Sequence, residues 1–212
     1  ARGDRMKTAR QGKAPKAKRA QPDAEGHSGR KSEIIEAGYR VVQKLGHKSL
    51  TFRSIADEAN VPLGSTTYYF TDKTDLLRAI LLYGKERTES RYDRIVRALR
   101  NGAPVLDTVA EMVEDVTLRD HSGLVRDYEL FLSGFDDEAL SDVCRDWTLI
   151  SKRALSPFLS EGAKDTLPIL LEGIFLMSAK TGRAFDAEEV RNLMAPLDRK
   201  STRLNSSHRP LS

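Results

Sequence analysis

The segment that most constrains the fold is residues 51–73, which read as two short helices joined by a tight turn. The hydroxyl of Thr51 is placed to cap the first helix, and Asn60 tolerates the left-handed conformation that ends it. Pro62 cannot continue the first helix but fits the start of the next, residues 63–69. The spacing therefore predicts a helix-turn-helix. Apolar residues recur at helical spacing in the first helix and are predicted to form its buried face. They are Phe52, Ile55, Ala56 and Ala59.

The second helix of this pair has an unusual composition for a buried element. It is too short to be stable alone, and it offers glycine and hydroxyl side chains where a core helix would offer leucines. Its outer face is therefore predicted to make contacts outside the domain.

From about Arg30 to Leu77 the sequence resembles the DNA-binding domain of the TetR (tetracycline repressor) family of transcriptional regulators. The resemblance depends on a spaced set of residues over a whole domain and not on one short motif. One departure is Thr67, which stands where many members carry a tyrosine that contacts the DNA backbone. The set consists of Gly46, Thr51, Ile55, Ala56, Ala59, Val61, Gly64, Ser65, Tyr69, Phe70, Lys73 and Leu76.

The resemblance implies a palindromic double-stranded DNA operator as the partner, with one recognition helix from each subunit in successive major grooves. Gly64 belongs to the predicted contact face, and Lys31 sits in the first turn of the preceding helix, where it can meet a phosphate. Side chains predicted to read base edges are Leu63, Ser65, Thr66 and Tyr68. Side chains predicted to position the protein on phosphates are Thr51, Arg53, Thr67, Tyr69 and Lys73.

Charge is distributed unevenly along the chain. The formal net charge of +4 divides into +7 for residues 1–22, +3 for residues 198–212 and −6 for the residues between them. Residues 1–25 show no apolar periodicity and are predicted to form a disordered basic arm. This arm is either a solubilising tail or a segment that follows DNA phosphates.

The other end changes character abruptly at Asp198. Residues 198–212 resemble the translation of a sequencing-library adapter, and we expect no function from them. The sequence begins at Ala1, and Met6 is a candidate translation start.

Segments with the apolar periodicity of helices precede and follow the motif. One face of the preceding helix carries Ile34, Gly38, Val41, Val42 and Leu45, and Gly46 is placed to end it. Asp72 is placed to cap a long helix from Lys73 to Leu99. Helical spacing continues to Leu197, with one stretch from Leu140 to Leu159, and no strand-like alternation appears. We predict an all-α protein. A three-helix DNA-binding domain spans residues 26–76, and an effector-binding and dimerisation domain spans residues 77–197.

The second domain is expected to bind a ligand and a second copy of the chain. The resemblance implies a cavity for a small apolar effector, and its predicted lining is Met112, Tyr128, Phe131 and Trp147. Ordinary core packing is the alternative for each of these side chains. The last two helices each carry an apolar stripe, which the resemblance assigns to a homodimeric four-helix bundle. Packing within one subunit is the alternative there.

Catalysis, cofactors and metal ions are not predicted. The four histidines fall in tails or loops, and no phosphate-binding loop or paired-histidine motif occurs. The acidic run of residues 136–138 is explained by the dipole of a helix that is predicted to begin at Ala139. Cys144 is interpreted as a small buried hydrophobe. No segment is apolar enough to span a membrane, and the single cysteine and missing signal segment predict a cytoplasmic protein.

Two other functions remain open from the sequence. One is a helical protein-interaction module that keeps the helix-turn-helix as a scaffold. The other is an activator or a ligand-independent regulator with the same DNA contacts. The resemblance favours a repressor that a ligand releases from DNA.

Overall fold

The computed structural model describes the backbone of residues 24–135 and 137–205 and the side chains of residues 28–135 and 137–197. Within these ranges it contains helices and turns but no strand, which confirms the all-α prediction. No helix in the described part is long and apolar enough to cross a membrane. The α-helices are α1 (Ala24–Leu45), α2 (Phe52–Ala59), α3 (Leu63–Tyr69), α4 (Lys73–Arg100), α5 (Val105–Glu114), α6 (His121–Leu132), α7 (Ser141–Thr148), α8 (Ile150–Leu155), α9 (Thr166–Thr181) and α10 (Ala187–Asn205).

The predictions for the two ends are largely outside the described residues. Of the proposed basic arm, only Ala24 and Glu25 are described, and they open α1. Of residues 198–212, the backbone of 198–205 continues α10.

The helix-turn-helix forms as predicted because its ends are capped locally. The Thr51 hydroxyl accepts a hydrogen bond from Ser54 N at 3.0 Å, and the Ser54 hydroxyl accepts one from Thr51 N at 3.0 Å. Asn60 ends α2 in the left-handed conformation, with φ of 53°. The reciprocal cap and the left-handed end together set the angle at which α3 leaves the turn.

α1 packs across the helix pair through its predicted apolar face. A β-carbon added to Gly38 would lie 2.5 Å from Ile80 Cδ1, so the absent side chain allows α1 to approach α4 closely. Gly46 ends α1 with φ of 83°, as predicted. Leu45 was predicted to lie on the buried face, which is wrong. It is 63% exposed because it stands at the open end of the last turn.

α4 connects the two hydrophobic cores of the protein. Asp72 caps it by accepting from Asp75 N at 2.8 Å, and it runs from Lys73 to Arg100, one residue beyond the predicted end. Its first half contributes Ile80 and Leu81 to the core around the helix-turn-helix. Its second half contributes Tyr92 and Ile95 to the core of the remaining helices. A displacement of α4 therefore affects both cores.

The first core extends beyond the predicted DNA-binding domain. Leu130 of α6 and Leu140, Val143 and Cys144 near α7 pack into the same cluster as Ile34 and Ile55. Cys144 is buried, as expected for a small hydrophobe, and burial raises the pKa of its thiol. The boundary at residues 76 and 77 remains a prediction, because apolar packing continues across it.

The second half departs from the predicted helices in two places. The acidic run does not open a helix at Ala139, since α7 begins only at Ser141. Helical spacing from Leu140 to Leu159 is divided into α7, α8 and a 3₁₀ turn that contains Pro157. Proline lacks the amide that an α-helix interior requires, which explains the tighter turn.

Candidate DNA-binding face and effector cavity

The outward surface of α3 carries most of the side chains predicted to contact DNA. Leu63 is 42% exposed, Tyr68 is 70% exposed, and Thr67 is also exposed. Ser65 is half-buried. Gly64 is exposed, and a β-carbon added to it would meet no atom within 4 Å. Small and hydroxyl side chains on this surface leave the α3 backbone accessible to a broad partner such as a DNA groove.

Thr66 corrects the predicted set of base-reading residues. Its side chain is fully buried, and its hydroxyl donates to Leu63 O at 2.7 Å. A residue four positions after Pro62 points back toward the core, because the helical period brings it to the inner face. The expectation that Thr66 reads base edges is therefore wrong in this structure, where the residue anchors α3.

The buried face of α3 is held by an aromatic residue at its end. Phe70 is 2% exposed and packs in the core around α1 and α4. The Lys31 ammonium lies 5.3 Å from the centre of the Phe70 ring. Lys31, predicted to contact a phosphate, is thus beside α3 and exposed.

The remaining predicted phosphate contacts are arranged around α3. Arg53 and Lys73 are exposed, and Tyr69 is half-buried. Thr51 is exposed, but its hydroxyl is engaged in capping α2 and also donates to Ser54 Oγ at 3.0 Å. Arg53 on α2 and Lys73 on α4 are thus exposed on the helices that precede and follow α3, and Thr51 has a local structural role.

The four residues predicted to line an effector cavity do line one cavity. It has a volume of about 80 Å³, and its lining comes from α4 to α9. Phe131 makes edge contacts with Trp147 at 5.8 Å and with Tyr128 at 6.3 Å between ring centres. Their effector-binding role remains a prediction. Further aromatic lining comes from Tyr92 and Phe175.

Two carboxylates in this lining were not predicted from the sequence. Glu172 accepts a hydrogen bond from the Tyr128 hydroxyl at 2.7 Å. Asp127 accepts from the Tyr39 hydroxyl at 2.6 Å and from Gln43 Nε2 at 2.8 Å. Glu172 is the one acidic residue of α9, so an isolated charge within an apolar helix was an available signal. Asp127 carries no such local signal.

Burial shifts the pKa values of ionisable side chains that line this cavity. It raises the pKa of the Asp127 carboxyl. The hydrogen bond from Tyr39, the charge of Arg91 and the hydrogen bond from Gln43 partly oppose that rise. Burial and the charge of Glu172 also raise the pKa of Tyr128, which keeps its hydroxyl protonated as a donor. The lining thus combines two carboxylates with aromatic rings, whereas the sequence predicted a cavity for a small apolar effector.

Comparison with known proteins bears directly on this arrangement. The family of bacterial regulatory proteins named tetR matches residues 34–80, which contain α2 and α3. A structure described as a member of TetR family (SCO1917) from Streptomyces coelicolor A3 is 31% identical, covers 79% of this chain and 97% of that chain, and superposes with a TM-score of 0.68. This chain belongs to the TetR family.

Other relatives extend the family match to the second domain. The HTH-type transcriptional regulator BetI of Burkholderia thailandensis is 24% identical over 189 residues, which cover 77% of this chain and 89% of BetI. The multidrug binding protein EbrR, in a crystal structure with ethidium, is 31% identical, covers 79% of this chain and 98% of that chain, and has a TM-score of 0.68. The protein is a DNA-binding transcriptional regulator of the TetR family, as the sequence predicted.

The described residues also bear on metal binding. No group of three or more histidine, cysteine or acidic side chains is arranged there to hold a metal ion. BetI is a transcriptional regulator, which is a non-enzymatic role.

Proposed function

We propose that this TetR-family protein is a homodimeric repressor that binds a palindromic operator through α3 and is released when a small molecule enters the cavity. The observation that supports operator binding most directly is the outward surface of α3. Leu63, Ser65 and Tyr68 are the proposed base contacts, and Arg53 and Lys73 the proposed phosphate contacts.

Exposed apolar side chains on the last two helices support self-association. Ile169 is 72% exposed, Met177 is 51% exposed and Leu176 is 40% exposed on α9. Leu193 on α10 is 44% exposed. Burying these side chains against the same residues of a second subunit, in a four-helix bundle, would remove apolar surface from water. The dimer would then carry two α3 helices.

The size and position of the cavity support release by a ligand. Its volume of about 80 Å³ is well below the ~300 Å³ at which ligand pockets for drug-sized molecules begin. A ligand must therefore displace lining side chains, some of which belong to α4. EbrR binds ethidium with a related fold. We infer that ligand entry moves α4 and changes the separation of the two α3 helices, through the difference in ligand affinity between the two arrangements.

Selection from a random-sequence duplex pool by the purified full chain tests operator binding. We expect an inverted repeat whose half-sites lie about one helical turn, ~34 Å, apart. Fluorescence anisotropy should then show an affinity for the selected duplex at least ~10³ times that for unselected duplex, with a steep loss on adding salt. Enrichment of no sequence would contradict the proposal and favour the protein-interaction module.

The dimer is tested by analytical ultracentrifugation of Ile169→Glu. We expect the wild type to be a dimer and the variant to be a monomer with weaker operator binding, because the added charge would be buried in the bundle. Leu45→Glu is the matched control, since Leu45 is 63% exposed and lies at the end of α1, outside α9 and α10. A dimeric Ile169→Glu variant would contradict the proposed interface.

A further inference from the structure

Two of the three charged side chains that line the effector cavity are acidic. Asp127 and Glu172 both face it, and Arg91 is the one basic side chain of its lining. With all three ionised, the lining has a net charge of −1. Five aromatic side chains complete the walls: Tyr92, Tyr128, Phe131, Trp147 and Phe175.

Neither carboxylate is neutralised by a direct ion pair. Among the described residues, the ion pairs include none made by Asp127 or Glu172. Arg91 pairs with Asp120 at 3.8 Å and acts on Asp127 only through its charge, which partly opposes the rise that burial causes in the pKa of that carboxyl. Glu172 has the neutral Tyr128 hydroxyl as its hydrogen-bond partner. A carboxylate with only a neutral partner, beside aromatic ring faces, attracts a cation both by charge and by the ring quadrupoles.

We propose that the effector is a flat organic cation whose positive charge lies between Glu172 and Asp127 and whose rings contact Phe131 and Trp147. This inference rests on the proposed ligand-released function and specifies the chemistry of its effector. A neutral ring of the same size gains the apolar contacts but not the interaction with the carboxylates.

The same carboxylate connects the cavity to the DNA-binding helices. Asp127 Oδ1 accepts both hydrogen bonds from α1, one from Tyr39 and one from Gln43. α1 packs directly on α2, and both belong to the core that holds α3. A cation that draws Asp127 into the cavity competes with these two hydrogen bonds and loosens α1 from α6.

Competition of this kind predicts the direction in which cation affinity and DNA release change when an α1 donor is removed. If the cation and the α1 donors compete for Asp127, removing a donor strengthens cation binding, because less of the ligand's affinity is used to break the hydrogen bond. The same removal weakens the effect of the cation on DNA, because coupling between two sites is reciprocal. A purely structural role of Tyr39 would produce neither result.

Ligand class is tested with two isosteric probes, the cation 1-methylquinolinium and neutral 1-methylnaphthalene, added to the full chain without DNA. Trp147 is the one tryptophan of the chain, so quenching of its fluorescence reports binding in the cavity. We expect the cation to bind at least about tenfold more tightly. Equal affinity for the two probes, or binding of neither at millimolar concentration, would overturn the inference.

Glu172→Gln tests the charge alone, because its side-chain oxygen can still accept from Tyr128. We expect this variant to lose about tenfold in affinity for the cation and to keep its affinity for the neutral probe. Glu111→Gln, on the exposed face of α5, removes the same charge outside the cavity and should leave both affinities unchanged. An unchanged cation preference in Glu172→Gln would count against the assignment.

Tyr39→Phe tests the connection to α1. We expect it to bind the cation about threefold more tightly and to show a smaller cation-induced loss of operator affinity. Tyr83→Phe is the matched control, since Tyr83 contacts the Tyr39 ring at 5.3 Å between centres but makes no hydrogen bond to Asp127. Weaker cation binding, or unchanged release, in Tyr39→Phe would refute the coupling.

These measurements separate the inference from the function on which it rests. Operator affinity is measured first without any probe, and each probe is titrated onto labelled duplex alone to correct for direct DNA binding. Failure of the wild type to select a duplex would reject the proposed function, whereas the Trp147 titration would still decide the ligand class.

Discussion

The outer surface of α3 and the cavity both present polar side chains, but the hydrogen-bond partners of these side chains differ in their distance along the chain. The threonine hydroxyls of α3 form local hydrogen bonds, such as that from Thr67 to Gly64 O at 3.3 Å. The cavity carboxylates use partners far away in the chain, such as Tyr39, which is separated from Asp127 by 88 positions. A local surface can be changed without affecting the fold, whereas the cavity is linked to several helices at once.

The largest expected effect concerns the buried side of α3. Phe70→Ala should lower the free energy of unfolding by about 3–5 kcal/mol, because it removes a buried ring and leaves a cavity behind the helix. Thr67→Ala, on the exposed side, should change it by no more than about 0.5 kcal/mol. Urea unfolding followed by circular dichroism measures both. Similar losses in the two variants would remove the distinction between the two faces of α3.

The corrected role of Thr66 predicts a smaller effect. Thr66→Val keeps the buried shape but removes the hydroxyl bonded to Leu63 O, so it should cost about 1 kcal/mol of stability. Base preference in a duplex selection should remain that of the wild type. A relaxed preference at one operator position would show that the Thr66 hydroxyl turns outward on DNA and would reinstate the sequence prediction.

Arg53 tests phosphate contacts as distinct from base reading. Arg53→Ala should weaken binding to all duplexes to a similar extent and should reduce the slope of log affinity against log salt concentration by about 1. Anisotropy titrations at several salt concentrations measure this slope. Loss of sequence preference without a change of slope would assign Arg53 to base edges instead.

The smallest expected effect is the pH dependence of the buried carboxylate in the cavity. Because the pKa of Asp127 is raised in the folded state, its contribution to stability is fully present below its ordinary pKa and is lost as the pH rises through the folded value. Asp127→Asn can keep Oδ1 as the acceptor for α1. Its stability relative to the wild type should therefore increase from acidic pH toward neutral pH.

A surface carboxylate provides the opposite case for the same experiment. Hydrogen bonds from the Arg78 guanidinium lower the pKa of Asp142 to about 2. The stability that this pair contributes is present above the ordinary pKa and is lost as the pH falls toward 2. Asp142→Asn should therefore approach the wild type in stability at acidic pH. A common pH trend in the two variants would contradict the contrast between buried and exposed carboxylates.

Local patterns in the sequence were sufficient for the DNA-binding helices. Thr51, Asn60 and Pro62 mark helix ends through interactions with residues only a few positions away, so α2 and α3 were predicted with their observed bounds. Three of the five aromatic residues that line the cavity were also predicted, where the family resemblance implied a cavity. Thr66 was misassigned because a seven-residue helix offers too few positions to determine which side faces the core.

The sequence by itself determined the helical fold, the helix-turn-helix and the family, since capping, helical period and turn chemistry all act over short stretches of chain. Only the tertiary structure placed Asp127 between the cavity and α1, and Glu172 against Tyr128. Those contacts join residues 44 or more positions apart, and which carboxylate faces which ring depends on how whole helices pack. Packing of that kind is a property of the folded chain and leaves no periodic signal in the sequence.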